Sequence, residues 1–264
     1  MTRILFCQPI FLASEKLKEK NFDSIKSLKY IIEYLPYDYE IIFKLEGWAF
    51  KDKFWNEFKE LVSSLPVKIE YKRLDHNYGK AYVINKIVRE HRDDFDYILT
   101  CDSDIIFLEN QHYIERLVES MEKFPEGKRG IISLNQQVCS FHIYQNMKHY
   151  LTYSGSYFKE ELKWGGGIAG GCFFISNERW KIIEGYDLKG IRFGDDGNLF
   201  SKNLKSGVKN YMFYTLSVIH PPDFPGENFR KWKRKEMSVK RGILDKEQLE
   251  ELSKKSIEEL WNHE

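Results

Sequence analysis

The strongest constraint on this chain is a regular alternation in its first half: a short apolar run, then a stripe of apolar residues at helical spacing, four times over. Residues 3–10 (RILFCQPI) read as a buried strand ended by a proline. Ile25, Leu28, Ile31, Ile32 and Leu35 follow as a helical face stopped by Pro36. Residues 39–45 (YEIIFKL) make a second strand closed by Gly47, and Phe54, Phe58, Leu61 and Leu65 a second stripe before Pro66. Residues 67–74 (VKIEYKRL) alternate with period two and predict a third strand. A turn at Asn77 and Gly79 then opens a helical face of Ala81, Ile84, Ile87, Val88 and His91. The fourth strand lies in residues 97–107 (YILTCDSDIIF), and Ile114, Leu117, Val118, Met121 and Phe124 form the stripe after it. Strands that alternate with helices in this way predict an α/β fold, with a mostly parallel central sheet and helices on both faces.

The second half is less regular. Residues 130–138 (GIISLNQQV) are a strand candidate, whereas residues 144–163 are aromatic and polar without a clear period. Residues 164–176 (WGGGIAGGCFFIS) set five glycines before an apolar strand, and a short helix through Trp180, Ile182 and Ile183 follows. Then come GDDGNLFSKNLKSG, a strand over 211–219, a basic run at 230–235 (RKWKRK) and a tail with Leu249, Leu252, Ile257, Leu260 and Trp261 on one helical face. A chain of 264 residues can bury a sizeable core, and no composition break divides it. It reads as one catalytic-sized domain over 1–222, with a basic loop and C-terminal helix over 223–264.

Lys plus Arg number 41 against 40 Asp plus Glu, so no long-range field draws the molecule to nucleic acid or membrane. Any such preference has to be local. Cys7, Cys101, Cys139 and Cys172 are far apart and sit in apolar runs, which suits buried thiols better than disulfides or zinc ligands. The N-terminus is too short in apolar length for a membrane span and has no cleavage pattern. The expectation is a cytoplasmic protein with no integral membrane segment.

The chemistry gathers in Asp102-Ser103-Asp104. Two carboxylates after an apolar strand need a partner or a metal, because a buried charge left alone is costly. Hard oxygen ligands at the carboxyl end of a strand suit Mg²⁺ or Mn²⁺, which would neutralise a diphosphate. The other reading of such a triplet is a helix cap or a solvated turn. The glycines of 165–171, among them Gly170 and Gly171, permit close backbone approach to a ligand, or alternatively make a surface loop. Trp164 could stack on a sugar or belong to the core. Asp195 and Asp196 open an apolar helix, where acids also serve as caps. The basic run is by default a solvated face; its alternatives are a lid whose Arg230 reaches a diphosphate, or a small nucleic-acid patch.

The run HNYGKAYVINKIVREHRDDFDYILTCDSDIIF resembles the donor half of family 2 glycosyltransferases with the glycosyltransferase-A fold. Asn77, Gly79, Lys80, Asn85, Asp102 and Asp104 stand at the matching positions. The glycine-rich stretch, the strand CFFIS and the pair Asp195-Asp196 follow in the order of the acceptor half, though the family more often has Glu where Asp195 stands. The resemblance covers residues 1 to about 222. It implies a donor half over 1–110 and an acceptor half over 111–222. The donor would be a nucleotide sugar, UDP-linked, held by Gln8, Glu46, Asn77, Gly79, Lys80, Asn85, Asp102, Ser103, Gly170, Gly171 and Arg230. Asp102, Asp104 and His220 would hold Mn²⁺ or Mg²⁺. Asp196, supported by Asp195, would be the general base of an inverting transfer, with Trp164 and Gly166 on the acceptor side. The acceptor, whether glycan, lipid, protein or modified nucleic acid, is left open. Two other readings stand beside it. A haloacid-dehalogenase-like phosphatase is imitated by CDSDII and FGDDGN, although its first motif normally lies near the chain start. A binding-only protein could also keep the fold without turnover.

Overall fold

A computed structural model describes residues 1–137, 149–156, 158–164, 168–187 and 195–221. Its frame is one ten-stranded mixed sheet in the order β3-β2-β1-β4-β9-β6-β10-β8-β7, with β5 paired to β10 off that path. The strands are β1 (Thr2–Leu12), β2 (Tyr39–Ala49), β3 (Ile69–Arg73), β4 (Tyr97–Cys101), β5 (Ile106–Phe107), β6 (Ile132–Gln137), β7 (His149–Ser154), β8 (Lys159–Trp164), β9 (Cys172–Ser176) and β10 (Tyr211–Ile219). The first four run parallel, as the strand–helix alternation predicts, and β6, β7 and β10 share their direction. Strands β5, β8 and β9 oppose them. The central sheet is therefore mostly parallel; β8 and β9 belong to the irregular second half, and β5 is the end of the expected fourth strand, which breaks after Cys101 and turns back against β10.

The helices are α1 (Glu15–Ser27), α2 (Asp52–Ser63), α3 (Lys80–Glu90), α4 (Tyr113–Glu122), α5 (Asn177–Ile183) and α6 (Asp195–Lys205). Period-two alternation along the central strands divides the core into two layers. On one face Ile4, Phe6, Leu99, Phe174 and Phe213 meet the apolar stripes of α1, α2 and α4, including Ile25, Phe54, Phe58, Leu117 and Met121. On the other, Leu5, Ile98, Phe173 and Met212 meet Ala81, Ile84, Ile87 and Val88 of α3, with Trp180 of α5 and Leu199 and Phe200 of α6. Cys7, Cys101 and Cys172 are buried free thiols; Cys139 lies outside the described residues.

Several boundaries differ from the sequence expectation. β1 does not stop at its proline but continues to Leu12. Its pairing with β4 covers only Ile4–Cys7, so beyond Cys7 it has one strand neighbour, the condition under which a strand holds proline. β2 likewise runs past Gly47 to Ala49. The segment without a clear period contains a hairpin, β7 and β8, paired from Ser154↔Lys159 to His149↔Trp164. Burial alternates along β7, with Leu151 and Tyr153 half-buried and Thr152 and Ser154 exposed, but the buried Glu160 and Lys163 of β8 break the apolar pattern. The tail, the basic run and residues 138–148 lie outside the described residues.

Candidate active site

The site forms where β4 ends. Asp102 follows Cys101 directly, and its backbone N–H donates to the Gly171 carbonyl at 2.6 Å, so the antiparallel β4–β9 pair carries the glycine-rich segment against the acidic turn. The turn hands over to β5, whose pairing with the end of β10 (Ile106↔Ile219, Phe107↔Val218) draws His220 beside Asp104. His220 Nε2 lies 3.4 Å from Asp104 Oδ1, while its Nδ1 lies 3.1 Å from Gln136 Oε1. An amide oxygen at Nδ1 suits a ring proton there; Nε2 then donates to Asp104 while the ring is charged and turns a lone pair toward the carboxylates once it is neutral. One ligand atom each from Asp102, Asp104 and His220 fall within 4.8 Å of one another. Two carboxylate oxygens and an imidazole nitrogen at that separation fit a divalent ion of the Mn²⁺ or Mg²⁺ type, with room left for other oxygens. Burial works to lower the His220 pKa, but the hydrogen bond and charge of Asp104 outweigh it and hold the ring above its ordinary value.

Lys80 links this group to a third carboxylate. Asn77 Oδ1 accepts the N–H of Gly79 at 3.1 Å, and Gly79 takes φ +80°, a conformation L side chains rarely adopt. That turn makes Lys80 the first residue of α3. Its ammonium reaches Asp102 Oδ1 at 2.6 Å, Asp196 Oδ1 at 2.9 Å and the Gly170 carbonyl at 3.0 Å. Burial would lower the Lys80 pKa, yet the charges of Asp102 and Asp196 hold it well above its usual value. Burial also pushes the Asp102 carboxyl up, against the pull of Lys80. Asp196 stands near the start of α6, and its Oδ1 accepts a second hydrogen bond, from Tyr186 Oη at 2.8 Å. Its other oxygen faces Gly170, where a Cβ would overlap Asp196 Cγ and Oδ2. A Cβ on Gly171 would come within 2.8 Å of Gln136 Oε1 and 3.2 Å of Asp102 Oδ2. These two glycines set the close approach between the halves of the site.

The structure thus brings together Lys80, Asp102, Asp104, Gly170, Gly171, Asp196 and His220, with Ser103 in the turn between the two acids. Other expected residues stand elsewhere. Asn85 gives its amide to the backbone of Tyr186, donating to the carbonyl at 2.9 Å and accepting from the N–H at 3.0 Å. Glu46 pairs with Lys86 at 2.7 Å, and Gln8 is buried behind the acidic turn. Trp164 pairs with Tyr211, the first residue of β10, whereas His220 follows its last, so the tryptophan sits at the far end of that strand with the Lys209 ammonium 3.3 Å from its ring centre. Strand direction decided this, and the residues 144–163 gave no sign of it. Gly166, Arg230 and the side chain of Asp195 lie outside the described residues. Tyr186 and Gln136 went unrecognised in the sequence. Gly185-Tyr186-Asp187 reads only as a turn, and nothing local ties its hydroxyl to a carboxylate ten residues on.

The family model described as "Glycosyl transferase family 2" matches residues 19–180. No curated protein matches the chain. Among solved structures, the chain is similar to GalNAc-T7, crystallised with UDP, GalNAc and Mn²⁺, at TM-score 0.59 and 13% identity over 83% of this chain and 44% of that one. It is also similar to residues 1–349 of S. aureus TarS in complex with UDP-GlcNAc, at TM-score 0.57 and 13% identity over 86% of this chain and 60% of that one. The chain therefore spans under two thirds of the length of either protein. At such identity the likeness is one of fold.

Proposed function

The chain belongs to glycosyl transferase family 2 and has the glycosyltransferase-A fold, and on that premise we propose that it is a metal-dependent glycosyltransferase moving a sugar from a UDP-linked donor to an acceptor hydroxyl with inversion at the anomeric carbon. The observation that carries this reading is the position of Lys80, whose ammonium lies between the acidic turn and Asp196 at 2.6 and 2.9 Å. A metal group and a carboxylate base then border one small space, as transfer between two substrates requires. That the neighbours GalNAc-T7 and TarS were crystallised with UDP or a UDP-sugar supports the choice of donor.

Asp102, Asp104 and His220 would hold Mn²⁺ or Mg²⁺, which when bound neutralises the donor diphosphate and the charge growing on its leaving oxygen. Lys80 and Tyr186 fix Asp196 Oδ1, which leaves Oδ2 for the acceptor. As the acceptor oxygen bonds to the anomeric carbon, its proton passes to Asp196 Oδ2. The bond from that carbon to the diphosphate breaks, and the nucleoside diphosphate leaves with the electron pair. Gly170 lets the Asp196 carboxylate lie against its backbone, and Gly171 lets Asp102 and Gln136 approach in the same way.

The test is calorimetric titration of the purified chain with UDP, with Mn²⁺ and then with EDTA, followed by release of UDP from UDP-sugars. Metal-dependent binding is expected, and Asp104→Ala should abolish it. Absence of nucleoside diphosphate binding together with hydrolysis of a generic phosphate ester would overturn the reading in favour of the phosphatase.

A further inference from the structure

Between β1 and α1 four polar side chains are buried, Gln8 and Ser24 at 0% exposure, Asn21 at 1% and Ser27 at 3%. Asn21 bonds to the backbone of Phe11 in β1, and the other three to the backbone of the acidic turn or of β5 just after it. Gln8 Nε2 donates to the Asp102 carbonyl at 3.2 Å and to Ser24 Oγ at 2.7 Å. Ser24 Oγ donates in turn to the Ile105 carbonyl at 2.5 Å. Ser27 Oγ accepts the Phe107 N–H at 2.9 Å and donates to the Ser24 carbonyl at 2.6 Å. The backbone is thus gripped at residues 102, 105 and 107, on both sides of Asp104. Residues 102–105 lie between strands; the Asp102 N–H still bonds to the Gly171 carbonyl beside β9 at 2.6 Å, and the Ile105 N–H bonds back to the Asp102 carbonyl at 3.3 Å.

Apolar side chains would pack α1 against β1 equally well and at lower cost, since a buried polar group is unfavourable unless bonded and Gln8 Oε1 has no hydrogen-bond partner among the described residues. What the polar set adds is a fixed path for the turn. We propose that Gln8, Ser24 and Ser27 are positioning residues of the metal site: they hold the turn so that the Asp102 and Asp104 carboxylates stand within reach of His220 before an ion arrives. This rests on the reading of Asp102, Asp104 and His220 as metal ligands. It also moves Gln8 from a nucleotide contact to a support behind the ligands.

The experiment titrates Mn²⁺ alone into the full chain and its variants, following free Mn²⁺ by electron paramagnetic resonance, with a thermal melt of each. Ser24→Ala and Gln8→Leu should bind Mn²⁺ roughly tenfold more weakly or worse, the scale on which supports behind a ligand act. Asp104→Asn should lose binding altogether. A role in packing alone would lower the melting temperature and leave the affinity of the folded protein unchanged, and that result overturns the proposal while the metal site stands. If wild type fails to bind Mn²⁺, the site reading falls and this inference with it. Should Ser24→Ala or Gln8→Leu not fold, Ser27→Ala decides. It removes the bond to Phe107 and leaves Gln8 and Ser24 in place, so faster exchange of the Phe107 amide with weaker Mn²⁺ binding supports the proposal. Faster exchange with wild-type binding refutes it.

Discussion

At Asp196 the two carboxylate oxygens have different company. Oδ1 takes both Lys80 and Tyr186, and Oδ2 faces the Gly170 backbone. If Asp196 is the base, Asp196→Asn should keep UDP affinity while transfer slows by about a hundredfold or more, measured as UDP release from a UDP-sugar. Unchanged turnover would remove it from the mechanism. Tyr186 enters the site through its hydrogen bond to Asp196. Burial, and then the Asp196 charge, push its hydroxyl pKa well up, so it acts as a hydrogen-bond donor across the working pH range. Tyr186→Phe should lower kcat by roughly tenfold or more with the donor KM little changed, since a bond to a charged oxygen is lost. A change confined to KM would count against this.

Among the elements, the sheet owes its second half to one buried ion pair as well as to apolar packing. Arg116 of α4 meets Glu160 of β8 through two bonds, 2.5 Å from Nε and 2.8 Å from the terminal nitrogen, with side-chain exposures of 4% and 0%. The same guanidinium donates to the Thr215 carbonyl at 2.9 Å, and Thr215 Oγ1 donates to Glu160 at 2.7 Å. The pair therefore ties α4, β8 and β10 together, and β10 leads into His220. Glu160→Ala would leave a buried, unpaired guanidinium, and about 3–5 kcal/mol of stability should be lost in urea unfolding. A loss within about 0.5 kcal/mol would show that water reaches the arginine. The hairpin β7–β8 that carries Glu160 was the element least visible in the sequence, although Gly155 between two aromatic-rich runs is a turn signal that could have found it.

On the scale of the molecule, one continuous sheet joins the regular first half to the irregular second. Strand β9 makes the join: Phe174 lies opposite Leu99 of β4 and Ile132 of β6, and stacks on Tyr97 at 5.0 Å between centroids. Fully buried, Phe174 should cost about 3–5 kcal/mol when replaced by Ala, read as a lower denaturant midpoint with a single cooperative transition. Two separated transitions would instead mean that the halves unfold independently. The family match ends at residue 180, so Tyr186, Asp196 and His220 lie beyond it; β10 of this sheet carries His220 to the site, while Asp196 comes from α6.

The sequence alone determined the α/β class, the parallel first four strands, the two apolar layers and the identity of the acidic turn. These follow from local periodicity and from the rule that acids beside an apolar strand need a partner. Asn77, Gly79 and Lys80 were legible as a unit because a turn and a helix start are local events. Only the tertiary structure decided which distant groups meet that turn. His220 reaches Asp104 through the β5–β10 pairing, Tyr186 reaches Asp196 ten residues on, and Trp164 is carried away by the direction of β8. Such contacts depend on strand order and direction, which are set by how the whole sheet closes its core. Periodicity says that a residue faces a layer; it does not say which residue of another strand lies across from it.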